Sequence, residues 1–212
     1  MERILKVVLP FALALLLRYQ FGLPESPPNP IKALFKILPI VVLIAAIQYD
    51  QRGSDYSARV TAGLCFSAAG DLCQLYKQEY FIFGVICFGI AYCMYAVAFT
   101  LHDDNFLLAC SVCLAAGVAC IFGSPKLQEL AQPAAIAYTL TFLLMLWRAL
   151  AWWKSAQNKN SSAALVGAAT LVASNAVFST HIFQFQSPVP HTELIVSSTY
   201  YMGQLLIALS AL

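Results

Sequence analysis

Asp71 is the residue of this sequence whose type and setting point most directly to chemistry. Of the acidic residues in the sequence, only Asp71 lies well inside an apolar stretch long enough to cross a membrane. A carboxylate in hydrocarbon must be paired, hydrogen-bonded or neutral, and a buried acid that keeps its proton suits general acid–base catalysis. We therefore predict that Asp71 is catalytic. The alternative is a polar clasp that joins two helices.

Small and polar residues accompany Asp71 on one face of the predicted helix. Ser67 precedes it by four residues and Gln74 follows it by three, with glycines at Gly63 and Gly70. These spacings keep the side chains on one helical face, and small residues allow a second helix to approach closely. Ser67 is therefore predicted to line a substrate site beside Asp71.

Two later apolar stretches carry polar side chains that could complete a pocket. One contains Ser174 and Asn175, and an amide can hydrogen-bond a carboxylate or a substrate oxygen although it exchanges no proton. Asn175 is thus the expected partner of Asp71, and a structural hydrogen bond between helices explains it equally well. In the C-terminal stretch either of two tyrosines shares a helical face with a glutamine, to line the pocket or to join helices. These residues are Tyr200, Tyr201 and Gln204.

Two cations at membrane depth could hold a phosphate. Arg148 lies near the end of an apolar stretch beside several tryptophans, and Tyr138 falls on the same helical stripe. Lys36 lies three residues before Pro39 in another apolar stretch. Each cation can bind a lipid phosphate, and each can equally extend to the membrane surface within an aromatic belt.

The composition is that of a membrane protein. Of the 212 residues, 60% are hydrophobic and 10% are charged, whereas soluble domains average about 25% charged. The net charge of +2 gives no basis for a nucleic-acid partner. The seven cysteines, including the CxxC of Cys110 and Cys113, lie in apolar stretches. Packing explains them better than a disulfide framework or a metal site.

Apolar stretches that alternate with short polar loops predict an all-α, multi-pass membrane protein, a bundle of about eight transmembrane helices. We expect one transmembrane domain over residues 1–212. The predicted spans are residues 4–20, 31–48, 59–75, 80–101, 106–122, 131–153, 163–183 and 193–212. Arg18 and Tyr19 follow the first apolar run without a small-residue cleavage site, so we expect this span to be retained. The distribution of lysine and arginine favours cytosolic termini.

Four ordered motifs run from the second predicted span to the C-terminus. They are Lys36-x-x-Pro39, Ser67-Ala-Ala-Gly-Asp71, the stretch from Tyr138 to Trp147-Arg148-Ala149-Leu150, and the segment from Ser198 to Leu212. In these motifs the chain resembles the YhhN-like lysoplasmalogenases, and within that family the animal membrane members. The order of the motifs over most of the chain makes the resemblance specific.

The resemblance implies an eight-helix fold in the endoplasmic reticulum or another membrane. It also implies hydrolysis of the vinyl-ether bond of lysoplasmalogens with choline or ethanolamine headgroups. The products are a fatty aldehyde and a glycerophosphocholine or glycerophosphoethanolamine. Two intramembrane aspartates are the acid and base expected from the family, so no metal or organic cofactor is expected.

The chain departs from the family pattern at three positions. The second expected aspartate is here Asn175, an expected histidine is Tyr92, and an expected asparagine is Leu143. Loss of a catalytic acid or base commonly lowers a rate by about 10²–10⁴. Either His181 substitutes for the missing group, or activity is weak or absent. His181 is about one and two-thirds helical turns beyond Asn175, which argues against direct replacement.

The leading hypothesis is a lysoplasmalogenase-like membrane hydrolase in which Asp71 is the acid or base and Asn175 orients water or the headgroup. Its expected partners are a lysophospholipid or lysoplasmalogen substrate and membrane lipid, with a homo-oligomer left open. The predicted substrate contacts are Lys36, Ser67, Tyr92, Tyr138, Arg148, Ser174, Tyr200, Tyr201 and Gln204. The alternative is a member that binds lysophospholipid without cleaving it, as a sensor or regulator, which Asn175 favours. A transporter is a third class, and little in the sequence supports it.

Overall fold

The computed structural model describes residues 2–21, 29–50, 53–99, 131–182 and 192–212. Within these ranges the protein is all-α, as predicted. The helices described are α1 (Glu2–Phe21), α2 (Pro30–Tyr49), α3 (Asp55–Leu75), α4 (Lys77–Ala98), α5 (Ala131–Ala156), α6 (Lys159–Ile182) and α7 (Thr192–Ser210). Each corresponds to one predicted span. The predicted span 106–122 and the CxxC within it lie outside the described residues.

Local sequence signals account for several helix starts. Asn29 caps α2, since its side chain accepts a hydrogen bond from the backbone N–H of Lys32 at 2.8 Å, and Pro30 occupies the first turn. Ser54 and Ser57 form a capping box at the start of α3. These side chains satisfy N–H groups that have no partner within the helix.

The connection between α5 and α6 is much shorter than the predicted loop of residues 154–162. Helix α5 continues to Ala156, and α6 begins at Lys159. Gln157 adopts a left-handed backbone conformation with φ of 46°, and the side chain of Asn158 accepts a hydrogen bond at 2.8 Å from a backbone N–H of the next turn. The polar residues that indicated a loop are therefore helix ends and caps.

Five of the described helices are long and apolar enough to cross a membrane: α1, α2, α4, α5 and α6. Helix α1 illustrates the pattern, because it buries Val7, Phe11 and Ala14 against the bundle and exposes Leu9 and Leu13. An apolar outer surface of this kind is suited to lipid, with the polar groups kept inside the bundle. The chain is an integral membrane protein.

The bundle has two ends that the contacts of α3 distinguish. At one end, which we call the Tyr56 end, the hydroxyls of Tyr56 and Ser210 lie 2.6 Å apart. At the other, the Asp71 end, Tyr200 of α7 contacts Asp71 of α3. Helices α3 and α7 therefore run antiparallel.

Helices α4 and α5 instead run in the same direction. Tyr92 packs against Tyr138, and further along both helices Phe99 stacks on Trp152.

Helices α6 and α7 approach closely through two glycines. A Cβ added at Gly203 would lie 2.7 Å from Cγ of Leu171 and 3.0 Å from the carbonyl oxygen of Gly167. Small residues at such crossings allow the backbones of membrane helices to come together. The contact fixes the position of α7, which carries much of the site described below.

We expect Gly203→Ala to destabilise the protein by about 1–3 kcal/mol, because a methyl group at the crossing must push the two helices apart. The measurement is the melting temperature in detergent micelles. Gly89→Ala is the matched control, since its Cβ would meet Oγ1 of Thr141 at an ordinary 3.9 Å. Equal melting temperatures for the two variants would contradict the close crossing.

Candidate active site

Asp71 lies near the end of α3, with only 3% of its surface exposed. The hydroxyl of Tyr200 donates a hydrogen bond to its Oδ2 at 2.9 Å, and Nζ of Lys36 lies 3.9 Å from its Oδ1. Next to it, Gly70 leaves room for Phe88 of α4, whose ring packs edge-on against Tyr200 at 6.0 Å. Helices α2, α3 and α7 thus each supply one polar group to the carboxylate, and α4 encloses it.

Lys36 forms hydrogen bonds with both α3 and α7. Its Nζ donates to Oε1 of Gln74 at 3.3 Å, and its backbone carbonyl accepts a hydrogen bond from Tyr201 at 2.8 Å. Gln74 and Asp71 lie about one turn apart on α3, so one ammonium group contacts both. The lysine is held beside the carboxylate instead of extending to the membrane surface.

A second layer of polar contacts lies one turn further into the bundle. Nε2 of Gln204 donates to Oγ of Ser67 at 3.1 Å, and the hydroxyl of Tyr95 donates to Oε1 of Gln204 at 2.7 Å. All three side chains are fully buried. Sequence reasoning missed Tyr95, although its spacing of seven residues from Phe88 and three from Tyr92 places all three on one face of α4.

Asn175 forms a third cluster with two tyrosines. The hydroxyl of Tyr138 donates to its Oδ1 at 2.7 Å, and its Nδ2 donates to the hydroxyl of Tyr92 at 2.9 Å. The two tyrosine hydroxyls lie 3.4 Å apart. Asn175 was expected to meet Asp71, but its hydrogen bonds go to α4 and α5, because α6 presents this side chain to them. Tyr92 lies about one helical turn from Phe88, whose ring packs against Tyr200, the donor to Asp71, so the two clusters are neighbours.

Ser174, the neighbour of Asn175, joins two helices. Its hydroxyl donates to the backbone carbonyl of Val196 in α7 at 2.9 Å. Ser174 thereby faces α7, while the adjacent Asn175 faces α4 and α5. The side chain of His181 lies outside the described part of the chain.

Arg18 completes the Asp71 end, and sequence reasoning did not select it. Its Cζ lies 4.6 Å from the centre of the Tyr201 ring, and its Nη2 lies 3.3 Å from Oγ of Ser197. Tyr201, under the guanidinium, is the neighbour of Tyr200, which bonds Asp71. The available signal was a charged residue in the last turn of the first span, which is common at membrane interfaces.

The structure does not bring Arg148 to this site. Ten residues of α5 separate it from Tyr138, a distance of about 15 Å along a helix. Its neighbour Trp152 packs against Tyr56 and Phe99 at the Tyr56 end. The Nε atom of Arg148 is buried without a hydrogen-bond partner among the described residues.

The assembled groups can carry out proton transfer. Asp71 can give or take a proton, the phenols and amides around it can donate and accept hydrogen bonds, and two cations can hold an anion. Among the described residues, no group of three or more histidines, cysteines or acids is placed to hold a metal ion.

Comparisons with known proteins match the chain to one protein family and to curated lysoplasmalogenases. The YhhN family model matches residues 31–211. The lysoplasmalogenase TMEM86B of Sus scrofa is 32% identical, over 95% of this chain and 84% of its own length. The lysoplasmalogenase TMEM86A of Bos taurus is 30% identical, over 96% and 88%. The TMEM86B of Homo sapiens is 31% identical, over 96% and 85%. No solved structure gives a significant match.

We expect Tyr138→Phe to lower the free energy of unfolding by about 0.5–1.5 kcal/mol, because it removes the donor to a buried amide oxygen. Thermal unfolding in detergent measures the change. Tyr49→Phe is the control, since Tyr49 is 88% exposed. If both variants unfold at the same temperature, the hydroxyl of Tyr138 does not hold Asn175.

Proposed function

The chain belongs to the YhhN family, and on that premise we propose that it is a membrane hydrolase that cleaves the vinyl-ether bond of lysoplasmalogens. The observation that carries the proposal is Asp71, a buried carboxyl held between a phenol and an ammonium group inside a membrane bundle. The curated relatives are lysoplasmalogenases at about 30% identity over nearly the whole chain.

In the proposed reaction the protonated carboxyl of Asp71 gives its proton to the vinyl carbon that does not bear oxygen. The remaining carbon and the ether oxygen then share a positive charge, which the new carboxylate stabilises. Water attacks this carbon, and the carboxylate takes the proton that the water releases. The hemiacetal collapses to a fatty aldehyde and the free hydroxyl of the glycerophospholipid. One carboxyl thus supplies a proton and recovers one in each turnover.

The partners of Asp71 suit these two roles. Tyr200 fixes Oδ2 by a hydrogen bond, whereas the 3.9 Å separation of Lys36 from Oδ1 is longer than a hydrogen bond. We therefore place the transferable proton on Oδ1. The ammonium of Lys36 stabilises the carboxylate form by its charge, which favours donation of the proton to the vinyl carbon.

Asn175 is proposed to orient the attacking water or the headgroup. An amide offers two N–H groups and two oxygen lone pairs, and its bonds to Tyr92 and Tyr138 use half of them. Tyr92 lies about one turn of α4 from Phe88, which packs against the Tyr200 that bonds Asp71, so a water molecule held at this amide would be on the side of the acid.

A second candidate function is binding of lysophospholipid without cleavage. The observation that favours it is the neutrality of the Asn175 cluster, in which an amide and two phenols stand where the family resemblance implies a second carboxyl. Such a protein would act as a sensor or regulator and would need the same substrate contacts.

We further propose that the protein lies in the endoplasmic reticulum with cytosolic termini. A cytosolic N-terminus places the start of α1 and the Tyr56 end on the cytosolic side, and the Asp71 end on the lumenal side. A homo-oligomer stays a prediction.

The decisive measurement is aldehyde release from lysoplasmenylcholine and lysoplasmenylethanolamine by the purified protein. We expect Asp71→Asn to lower this rate by about 10²–10⁴, because it removes the proton donor and keeps the shape of the side chain. Asp55→Asn is the matched control, since Asp55 lies exposed in the first turn of the same helix. An unchanged rate in Asp71→Asn would overturn the assignment of the acid.

The variant Asn175→Asp separates the two candidate functions. If the unaltered chain releases aldehyde, it is a hydrolase that works with one carboxyl, and a second carboxyl should raise the rate. If the unaltered chain is silent and Asn175→Asp releases aldehyde, the natural chain is a lipid-binding member with an intact pocket. Silence from the unaltered chain and from both variants would contradict the hydrolase proposal.

A further inference from the structure

We propose that Arg18 forms a phosphate subsite that recognises the phosphodiester of a lysophospholipid headgroup. The inference rests on the proposed function for its substrate class. It adds a residue of α1, a helix that lies before residues 31–211 by which the family was recognised.

No carboxylate in contact with the guanidinium of Arg18 neutralises its charge within the described part of the chain. Lys36 lies 3.9 Å from Oδ1 of Asp71, whereas Arg18 forms no ion pair with this carboxyl. Within the described residues no carboxylate lies at salt-bridge distance from Arg18, whose contacts are the Ser197 hydroxyl and the Tyr201 ring. A half-buried guanidinium without an anion in contact is costly, and a phosphodiester, which carries one negative charge, would compensate it.

The guanidinium is positioned before any ligand binds. It is half-buried above the face of Tyr201, a contact that attracts cations, and Ser197 holds one of its nitrogens at 3.3 Å. The hydroxyl of Tyr201 in turn bonds the backbone of Lys36 at 2.8 Å. A planar guanidinium has five N–H donors and matches phosphate oxygens in pairs, so its remaining donors suit this anion.

Arg18 is connected to the acid through the two adjacent tyrosines of α7. Tyr200 bonds Asp71, and the next residue, Tyr201, lies under Arg18, with the two rings 4.9 Å apart. The carboxyl and the guanidinium are therefore separated by two neighbouring aromatic rings. In a lysoplasmalogen the three-carbon glycerol separates the vinyl ether from the phosphate, so one molecule could contact both groups.

The position of Arg18 along its helix also suits a headgroup. It lies in the last turn of α1, one turn before the helix ends at Phe21. This places the cation at the edge of the apolar segment, where lipid phosphates reside. Arg148, the cation that sequence reasoning favoured for this role, lies at the Tyr56 end.

The test is equilibrium binding of 1-acyl-lysophosphatidylcholine to the purified protein in nanodiscs, beside a monoacylglycerol with the same chain and no phosphate. We expect Arg18→Gln to weaken binding of lysophosphatidylcholine about tenfold or more, and to leave monoacylglycerol binding unchanged. Arg18→Lys should bind with intermediate affinity. Arg59→Gln, an exposed arginine at the Tyr56 end that bonds the carbonyl of Val97, is the matched control.

Equal affinity of Arg18→Gln and the unaltered protein for lysophosphatidylcholine would overturn the proposal. Parallel weakening for monoacylglycerol would do the same, because it would show a loss of fold or chain binding. Displacement of lysophosphatidylcholine by millimolar inorganic phosphate would assign the subsite to free phosphate and overturn the lipid assignment.

The binding test is independent of turnover, since the acyl probe has no vinyl ether. If no aldehyde is released and Arg18 still controls binding, the hydrolase proposal fails and the subsite stands. If aldehyde is released, we expect Arg18→Gln to raise KM with little change in kcat, whereas Asp71→Asn lowers kcat. Unchanged KM and unchanged binding in Arg18→Gln would overturn the phosphate subsite and leave the hydrolase proposal standing.

Discussion

The burial of one carboxylate at membrane depth is the constraint on which the rest of the site depends. An ionised Asp71 without partners would be strongly disfavoured in hydrocarbon, and Tyr200 and Lys36 reach it from two other helices. Helices α2, α3 and α7 must therefore pack together for the carboxyl to be tolerated. Helices α3 and α7 are outside the five that are apolar enough to cross a membrane on length and composition, and their polar residues face each other inside the bundle.

The polar interior is built mainly from neutral groups. Phenols and amides connect α3, α4 and α7 through Tyr95 and Gln204, and connect α4, α5 and α6 through Tyr92 and Asn175. Hydrogen bonds within such networks strengthen one another in a low dielectric, and an incomplete network would be costly. The site thus combines one acid with a rigid surround, so a bound lipid would meet groups that are already oriented.

Much of the fold followed from the sequence because apolar runs of membrane length have few alternatives to a helix. Helical periodicity also placed Ser67 and Asp71 on one face, and the structure brings both to α7. Periodicity fixes the face of a side chain but not the helix that it meets, so Asn175 was assigned a partner that it does not bond. Arg148 was predicted to contact substrate because an arginine can bind a phosphate. Its position along α5, however, separates it from the other predicted contacts. The position of Arg18 in the site could not be predicted, because it depends on the packing of α1 against α7, which no local sequence pattern indicates.

The hydroxyl of Tyr92 has a consequence for how this chain diverged. Tyr92 and Asn175 stand where the family resemblance implies a histidine and an aspartate, and they are in direct hydrogen-bond contact. A phenol accepts from an amide and, by rotating its hydrogen, donates to a carboxylate. The pair can therefore accommodate either an amide or an acid at position 175 without repacking. A single substitution at this position would exchange an amide for an acid, with the bundle stable on both sides of the change.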